Sequence, residues 1–189
     1  MKTLIIHPKD KTTDFLTPLY RNLKNKTVVK GNISKSDILN LINHHDRVIM
    51  LGHGSSAGLF SVGQFTGSSN YIIDEETVPL LSEKENNVCI WCNADIFCRR
   101  FCIRGFFSGM FVSELTEAYM MGLKDTDESL IEESNKLFAD IASKYISDKD
   151  SRNICERIKR EYFGERLNPV INYNSQRLSF LNSSDQNQY

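Results

Sequence analysis

The chain has 189 residues, of which 40% are hydrophobic and 25% charged, and its formal net charge is −1. This length and composition predict one soluble globular domain with a sizeable core. The small net charge excludes a nucleic-acid-binding surface, and no basic amphipathic stretch or long apolar segment indicates contact with a membrane. The apolar run at residues 3–6 is too short for the core of a signal peptide, so we expect a cytoplasmic protein.

Five cysteines are present, and four of them fall within fourteen positions: Cys89, Cys92, Cys98, Cys102 and, further along, Cys155. Without a secretory signal, a disulfide framework is not expected. A zinc site would need two separate glycine-rich knuckles, and this segment has no room for them. We therefore expect no metal and no cofactor, and we interpret every cysteine except Cys92 as an ordinary buried or surface thiol.

Apolar segments and helical patterns alternate along the first half of the chain. We predict, in order, a strand at 3–6, a helix from Thr12 or Thr13 through Leu23, a strand at 27–30, a helix capped by Ser34, a strand at 47–51, a hairpin of 59–62 with 71–73, and a helix at 75–83 capped by Asp74. The run at 48–51 within the third strand is apolar throughout, as expected for a central parallel strand.

The second half is predicted to be richer in helices. The predicted elements are a strand at 88–91, a helix from Asn93 or Ala94 to about Cys102, a strand at 109–113 after a break at Gly105, and helices at 115–121, 127–146 and 151–162. We assign one domain to residues 1–163, with the core strands in 1–122 and the C-terminal helices in 123–163. Residues 164–189 are predicted to be a polar tail with a disordered end. This alternation predicts an α/β fold with a mostly parallel central sheet and helices on both faces.

Two of the predicted strands end in chemically reactive residues. His53 lies between two glycines after the strand at 47–51, and Cys92 directly follows the strand at 88–91. The carboxyl ends of neighbouring parallel strands share one crevice, so a histidine and a cysteine there form a candidate base and nucleophile. The helix that begins after Cys92 is expected to favour its thiolate, and the Gly54 N–H is a candidate donor to an oxyanion.

This arrangement resembles the caspase-like cysteine peptidases, which include caspases, metacaspases, gingipains, separase and CHAT domains. The matching residues are Met50-Leu-Gly-His-Gly54 and Cys89-Ile-Trp-Cys92, and the predicted elements from residue 3 to about 121 fit the family core. The resemblance implies a caspase-like three-layer sandwich and a His53–Cys92 dyad that acts without a cofactor. It also implies an oxyanion hole made by the backbone amides of Gly54 and Cys92. The chain departs from the family pattern at Trp91, where a small residue is usual, and at the Asn-Ala-Asp that follows Cys92.

The expected partner is a peptide or protein substrate, and the candidate substrate-binding residues are Ser55, Asp95, Ser113 and Glu114. An acidic residue in the first specificity pocket would favour a basic P1 side chain, and Asp74 and Glu117 are further candidates for that position. Each of these acids also suits a simple role as a helix cap or a helix-start surface residue, and Ser55 also suits a turn.

Two other functions fit the same sequence. A non-catalytic α/β domain would bind a small anionic or nucleotide-type ligand at the helix start after Cys92. An interaction module would bind its partner through the helical C-terminal third. The glycines around His53 lack the strand–GxGxxG–helix context of a dinucleotide fingerprint, and the sequence does not indicate an oligomeric state.

Overall fold

The computed structural model describes residues 1–68, 70–163 and 168–183. Within these ranges the chain forms eleven strands and eight α-helices. The strands are β1 (Thr3–Ile6), β2 (Lys26–Val29), β3 (Ile33–Ser34), β4 (Arg47–Leu51), β5 (Gly54–Ser55), β6 (Gly58–Phe60), β7 (Phe65–Thr66), β8 (Tyr71–Ile73), β9 (Asn87–Ile90), β10 (Gly105–Ser108) and β11 (Leu178–Leu181). The helices are α1 (Pro18–Arg21), α2 (Lys35–Asn43), α3 (Val78–Ser82), α4 (Ala94–Arg100), α5 (Leu115–Met120), α6 (Glu128–Tyr145), α7 (Ser151–Tyr162) and α8 (Pro169–Ser175), with short 3₁₀ helices at Lys11–Leu16 and Glu75–Thr77.

Six strands form the central sheet in the order β11-β10-β9-β4-β1-β2. The first five strands of this sheet along the chain are parallel, and β11 pairs antiparallel with β10. The chain adds strands outward in one direction from β1 to β2 and in the other from β4 onward. The carboxyl ends of β1 and β4 therefore flank a topological switch point, where open α/β sheets place their sites.

The sheet is covered on both faces, as predicted. One core cluster joins Ile5 and Ile49 to residues of α6 and α7, such as Phe138 and Ile158. The neighbouring strand residue Leu4 belongs to a second cluster, which contains residues of α2, α3 and α4. Because successive strand residues point to opposite faces, these two clusters are the two sides of one sheet. The fold is thus α/β with a mostly parallel six-stranded sheet between helical layers.

Several predicted elements have the expected bounds, notably β1, β4 and α7. Ser34 caps α2 through a reciprocal capping box with Asp37, and the predicted hairpin is present as the antiparallel pair β6 and β8. The single helix predicted from Thr12 onward is wrong. Asp10 caps a 3₁₀ helix, and α1 begins separately at Pro18, because proline suits the first position of a helix and not its interior.

The fifth parallel strand lies at residues 105–108, so the predicted strand at 109–113 is wrong. The preceding helix already ends at Arg100, and Gly105 instead opens β10 with a φ of 153°. A Cβ at this position would lie 2.1 Å from the carbonyl oxygen of Asn87, so only glycine lets these two strands approach. Residues 109–113 instead form the connection that passes over the carboxyl edge of the sheet.

The predicted tail is also wrong in part, because it contains α8 and β11. β11 completes the sheet, and Leu178 and Leu181 are buried in the two core clusters. The side chain of Asn174 is fully buried and bonds both the N–H and the carbonyl of Val112, at 2.8 Å each. This part of the chain belongs to the domain. Residues 164–167 and 184–189, including most of the predicted disordered end, lie outside the described residues.

None of the helices in the described ranges is both long enough and apolar enough to cross a membrane.

Candidate active site

His53 and Cys92 lie two residues beyond the ends of adjacent parallel strands. Leu51 at the end of β4 pairs with Ile90 at the end of β9, so the two following segments leave the sheet side by side. Both residues line one cavity of about 10 Å³, with Phe111 and Ser113 on its other side. That volume is about what one water molecule requires. The structure therefore brings the two predicted residues together, and their catalytic roles stay a prediction.

The imidazole of His53 is held from the segment that follows β1. Its Nε2 lies 2.6 Å from Thr12 Oγ1, and the Thr12 hydroxyl donates to Asp10 Oδ1 at 2.9 Å. The backbone of His53 is fixed as well, because its carbonyl accepts from Phe60 N–H at 2.9 Å. Sequence reasoning gave Thr12 only a capping role and missed its contact with His53, which lies 41 positions away.

The thiol of Cys92 is partly buried. It donates to the carbonyl of Phe111 at 3.5 Å and to Glu117 Oε1 at 3.6 Å. Burial first, and then the carboxylates of Glu117 and Glu114, raise the pKa of Cys92 to about 12. Burial and these carboxylates oppose the thiolate that the helix after Cys92 is expected to favour, and α4 has only seven residues.

Glu117 is the residue that connects Cys92 to the start of α5. Its Oε2 accepts from Ser113 N–H at 2.8 Å, from Ser113 Oγ at 3.2 Å and from Glu114 N–H at 3.2 Å. These bonds form a capping box in which the Glu114 side chain completes the pair. The predicted alternative, a helix-start acid, is therefore correct for Glu117. Its other oxygen also faces the candidate nucleophile, which the sequence did not indicate.

Trp91, the departure from the family pattern, has a structural role next to the site. Its indole is 1% exposed and donates from Nε1 to the carbonyl of Ser55 at 3.0 Å. A Cβ at Gly54 would lie 2.3 Å from Trp91 Cδ1 and 2.5 Å from the carbonyl oxygen of Gly58. The large indole thus supports the loop that carries His53, and it packs against a position that only glycine can occupy.

Neither of the two amides predicted to form an oxyanion hole donates to a backbone carbonyl within the described residues. Phe60 bonds to His53, so in the antiparallel ladder of β5 and β6 the next pair, Gly54 with Leu59, is of the non-hydrogen-bonded kind. The Gly54 N–H therefore points away from β6. The Cys92 N–H has no acceptor within the part of the chain that the structure describes.

The other predicted site residues are divided between this site and separate roles. Ser113 lines the cavity and Glu114 lines the groove beside it, whereas the Ser55 hydroxyl bonds to Tyr71 and to Ala57 N–H. Asp95 lies beneath Gly109, with Oδ2 3.4 Å from where a Cβ of that glycine would be. Asp74 caps the second 3₁₀ helix and pairs with Lys35 at 2.6 Å, which removes it as a candidate for the specificity pocket.

A larger groove of about 690 Å³ opens beside the small cavity, and Phe15 and Ser113 belong to the walls of both. The groove runs between the first 3₁₀ helix, the start of α5 and the part of α6 from Glu128 to Asp140. Its charged lining consists of Lys11, Glu114, Glu128, Glu132, Lys136 and Asp140. Acidic residues therefore outnumber basic ones.

The clustered cysteines do not assemble into a metal site in the described ranges, where no group of three or more His, Cys, Asp or Glu side chains could hold an ion. Cys98 is fully buried, and burial and the adjacent Cys89 raise its pKa well above the usual value. Both thiols belong to the core between α4 and the sheet.

Comparison of the chain with protein-family models gives no match, and comparison with curated proteins gives no significant match.

Proposed function

We propose that this chain is a caspase-like cysteine peptidase domain that hydrolyses peptide bonds through Cys92 and His53. The observation that carries the proposal is the placement of these two residues on one cavity, at the carboxyl ends of adjacent parallel strands. A thiol and an imidazole at such a position are the nucleophile and base of covalent acyl transfer. The amides of Gly54 and Cys92, which have no backbone acceptor within the described residues, add the donors that an oxyanion requires.

The fold supports the same class. His53 follows the third parallel strand along the chain and Cys92 follows the fourth, in a sheet covered by helices on both faces. This agrees with the three-layer caspase-like sandwich that the sequence resemblance implies. The departure at Trp91 is compatible with that resemblance, because the indole is buried beneath the His53 loop and leaves the Cys92 thiol on the cavity.

In the proposed reaction, Cys92 Sγ attacks the carbonyl carbon of the scissile peptide while His53 accepts the thiol proton. The carbonyl oxygen becomes an oxyanion that the Gly54 and Cys92 amides stabilise. The C–N bond then breaks as His53 returns the proton to the leaving amine, which gives a thioester. Water, deprotonated by His53, attacks the thioester carbonyl and releases the acid and the thiol.

The resting site must open before this reaction can begin. The cavity has the volume of one water molecule, and the thiol is protonated and bonded to Phe111 and Glu117. A peptide that enters from the groove meets Phe15 and Ser113, which belong to both cavities, so displacement of these walls joins the two. Binding of a peptide in the groove is therefore expected to open the site.

The groove supports a basic side chain on the substrate. Glu114, Glu128, Glu132 and Asp140 face it, against Lys11 and Lys136. Carboxylates in a partly desolvated groove favour an arginine or lysine over an acidic or apolar side chain. We therefore propose cleavage after a basic P1 residue, with Glu114 next to Ser113, which lies on the wall that the groove shares with the small cavity.

Hydrolysis of a peptide mixture tests the proposal. Wild-type protein is expected to cleave peptides that contain arginine or lysine, and Cys92→Ala is expected to abolish this cleavage. Cys102→Ala is the matched control, since Cys102 is an exposed thiol outside the site, and it should cleave as wild type does. Cleavage that persists in Cys92→Ala, or its absence from wild type, would refute the peptidase function.

A non-catalytic domain is the second candidate, and the raised pKa of Cys92 favours it. Such a domain would bind a ligand in the groove and use Cys92 only as a buried thiol. An anionic ligand at the start of α4 is opposed by Glu117, whose carboxylate contacts Cys92 there. A ligand that co-purifies with the protein and is retained by Cys92→Ala would support this function over hydrolysis.

A further inference from the structure

A chain of hydrogen bonds leads from a carboxylate to the candidate base. Asp10 Oδ1 accepts from Thr12 N–H at 3.0 Å and from the Thr12 hydroxyl at 2.9 Å. The same hydroxyl oxygen lies 2.6 Å from His53 Nε2. The Thr12 side chain, on the first 3₁₀ helix, thus lies between the Asp10 carboxylate and the His53 imidazole.

The protons along this chain can be assigned from the bonding capacity of each group. Burial acts to raise the pKa of Asp10, but the two hydrogen bonds from Thr12 and the nearby His53 lower it overall, so Asp10 is an acceptor only. The one hydroxyl proton of Thr12 is therefore donated to Asp10. Thr12 Oγ1 must then accept from His53, which requires a proton on Nε2.

The segment that carries Thr12 is anchored independently of His53. Asp10 caps the 3₁₀ helix, and Thr13 Oγ1 bonds to the carbonyl of Asp10 at 3.2 Å. His7, buried at the end of β1, bonds to Thr13 at 3.2 Å and to Tyr20 at 3.0 Å. Thr12 is consequently presented to His53 by a turn whose position does not depend on that contact.

We propose that Thr12, supported by Asp10, is a positioning residue for His53. It holds the imidazole in the Nε2–H tautomer, which leaves Nδ1 as the nitrogen that exchanges the proton with the Cys92 thiol and with the leaving amine. This inference rests on the proposed function of Cys92 and His53. It follows the general rule that the hydrogen bond at one ring nitrogen sets the state of the other, as the acid of a catalytic triad does for its histidine.

The tautomer is measured by heteronuclear NMR of the full chain, in which protonated and unprotonated ring nitrogens are distinguished. His53 is assigned by the signal lost in His53→Gln. Wild type and Thr12→Ser should both show the Nε2–H form, because serine keeps the hydroxyl. Thr12→Val removes the hydroxyl with little change of shape at an exposed position, and it should give a mixture of tautomers.

Hydrolysis kinetics provide the second measurement. A general base is worth about 10²–10⁴-fold in rate, so partial loss of its orientation in Thr12→Val should lower kcat about tenfold. Because Thr12 also lines the groove, the variants are compared by kcat at saturating substrate, which does not depend on affinity for the groove. Thr12→Ser keeps the hydroxyl and should have the wild-type kcat. If substitution at position 12 lowered kcat by disturbing the fold, Thr12→Ser would lose activity as well.

The two proposals fail in different ways. A single Nε2–H tautomer and an unchanged kcat in Thr12→Val would overturn the role of Thr12 and leave the peptidase proposal intact. Absence of cleavage by wild type would overturn the peptidase proposal. The tautomer comparison would then still decide whether Thr12 orients His53, since it needs no activity.

Discussion

The thiol of Cys92 faces the carboxylate of Glu117, with 3.6 Å between Sγ and Oε1. Cys92 is thus affected both by burial and by a neighbouring negative charge, and each of these disfavours a thiolate. Both stabilise the thiol over the thiolate and raise the pKa of Cys92 to about 12. In this conformation Cys92 therefore favours the thiol over the thiolate, and Glu117 is one reason for it.

Neutralising Glu117 should make Cys92 more reactive. Glu117→Gln removes the charge but keeps an amide oxygen that can accept from Ser113 and Glu114 at the start of α5. Because a nearby negative charge disfavours the thiolate, its removal should lower the pKa of Cys92 and give about tenfold more thiolate at mildly alkaline pH. The rate of alkylation at Cys92 by a small thiol reagent, followed by mass spectrometry, measures this.

Glu114→Gln is the matched control for that experiment. Glu114 contributes less than Glu117 to the raised pKa of Cys92, so its neutralisation should change the alkylation rate less. Equal rates in wild type and Glu117→Gln would show that the carboxylate does not control the thiol.

Protonation of His7 should make the protein less stable in acid. Burial, and secondly the charge of Lys30, lower the pKa of His7 from 6.5 to about 4, and the side chain is 1% exposed. A depressed folded-state pKa contributes stability above pH 6.5 that is lost as pH falls towards 4. Urea unfolding should show a loss of about 3 kcal/mol from this group between pH 7 and pH 4.

The comparison for this loss is His7→Gln, which cannot gain the proton but can still bond to Thr13 or Tyr20. Its free energy of unfolding should fall less over the same pH range than that of wild type. His44→Gln, which changes a histidine at the end of α2, should retain the full acid dependence. If His7→Gln and wild type lost stability in parallel, His7 would not be the group responsible.

The sequence indicated some parts of this fold better than others for a physical reason. β4 and β9 are buried on both faces, so after their first residues, Arg47 and Asn87, they are continuously apolar. His53 and Cys92, which follow these strands, were found from that pattern. β11 is an edge strand in which only Leu178 and Leu181 are buried, which leaves a weak pattern. β10 was predicted four residues too late, because Gly105 was interpreted as the end of a helix. Gly105 instead permits the close approach of β10 to β9.

The contacts that define the site were harder to predict than the elements that carry them. Glu117 reaches Cys92 from 25 positions along the chain, and Thr12 reaches His53 across 41. Local patterns indicate where a helix or turn starts, and both residues were candidates for such roles. They do not indicate which strand end a capped turn will face, since that depends on how the loops pack over the finished sheet.

Gly54 should be intolerant of any side chain. The Cβ of Gly54→Ala would lie 2.3 Å from Trp91 and 2.5 Å from Gly58 O, and the latter is backbone that cannot move alone. We expect a loss of about 1–3 kcal/mol in the free energy of unfolding, as for overpacked cores. Ser56→Ala, an exposed change in the same loop, should cost less than about 0.5 kcal/mol. Equal stability of the two variants in urea would contradict this account of the loop.

Replacing Asn174 should lower the free energy of unfolding, because its side chain joins the C-terminal segment to the rest of the domain. Asn174→Leu leaves the N–H and carbonyl of Val112 without their buried partners, and each such group costs about 1–3 kcal/mol. Gln176→Ala, at an exposed position after α8, should be nearly neutral. A stability for Asn174→Leu equal to that of Gln176→Ala would show that residues 168–181 do not contribute to the fold.

The most direct test of the peptidase proposal is the site of modification by a peptidyl warhead that carries lysine or arginine at P1. Peptide mass spectrometry of the treated full-length protein should find the adduct on Cys92, with labelling lost in His53→Gln and reduced by excess basic peptide. An adduct confined to the exposed Cys102, or none on any cysteine, would contradict the assignment of Cys92 as the nucleophile.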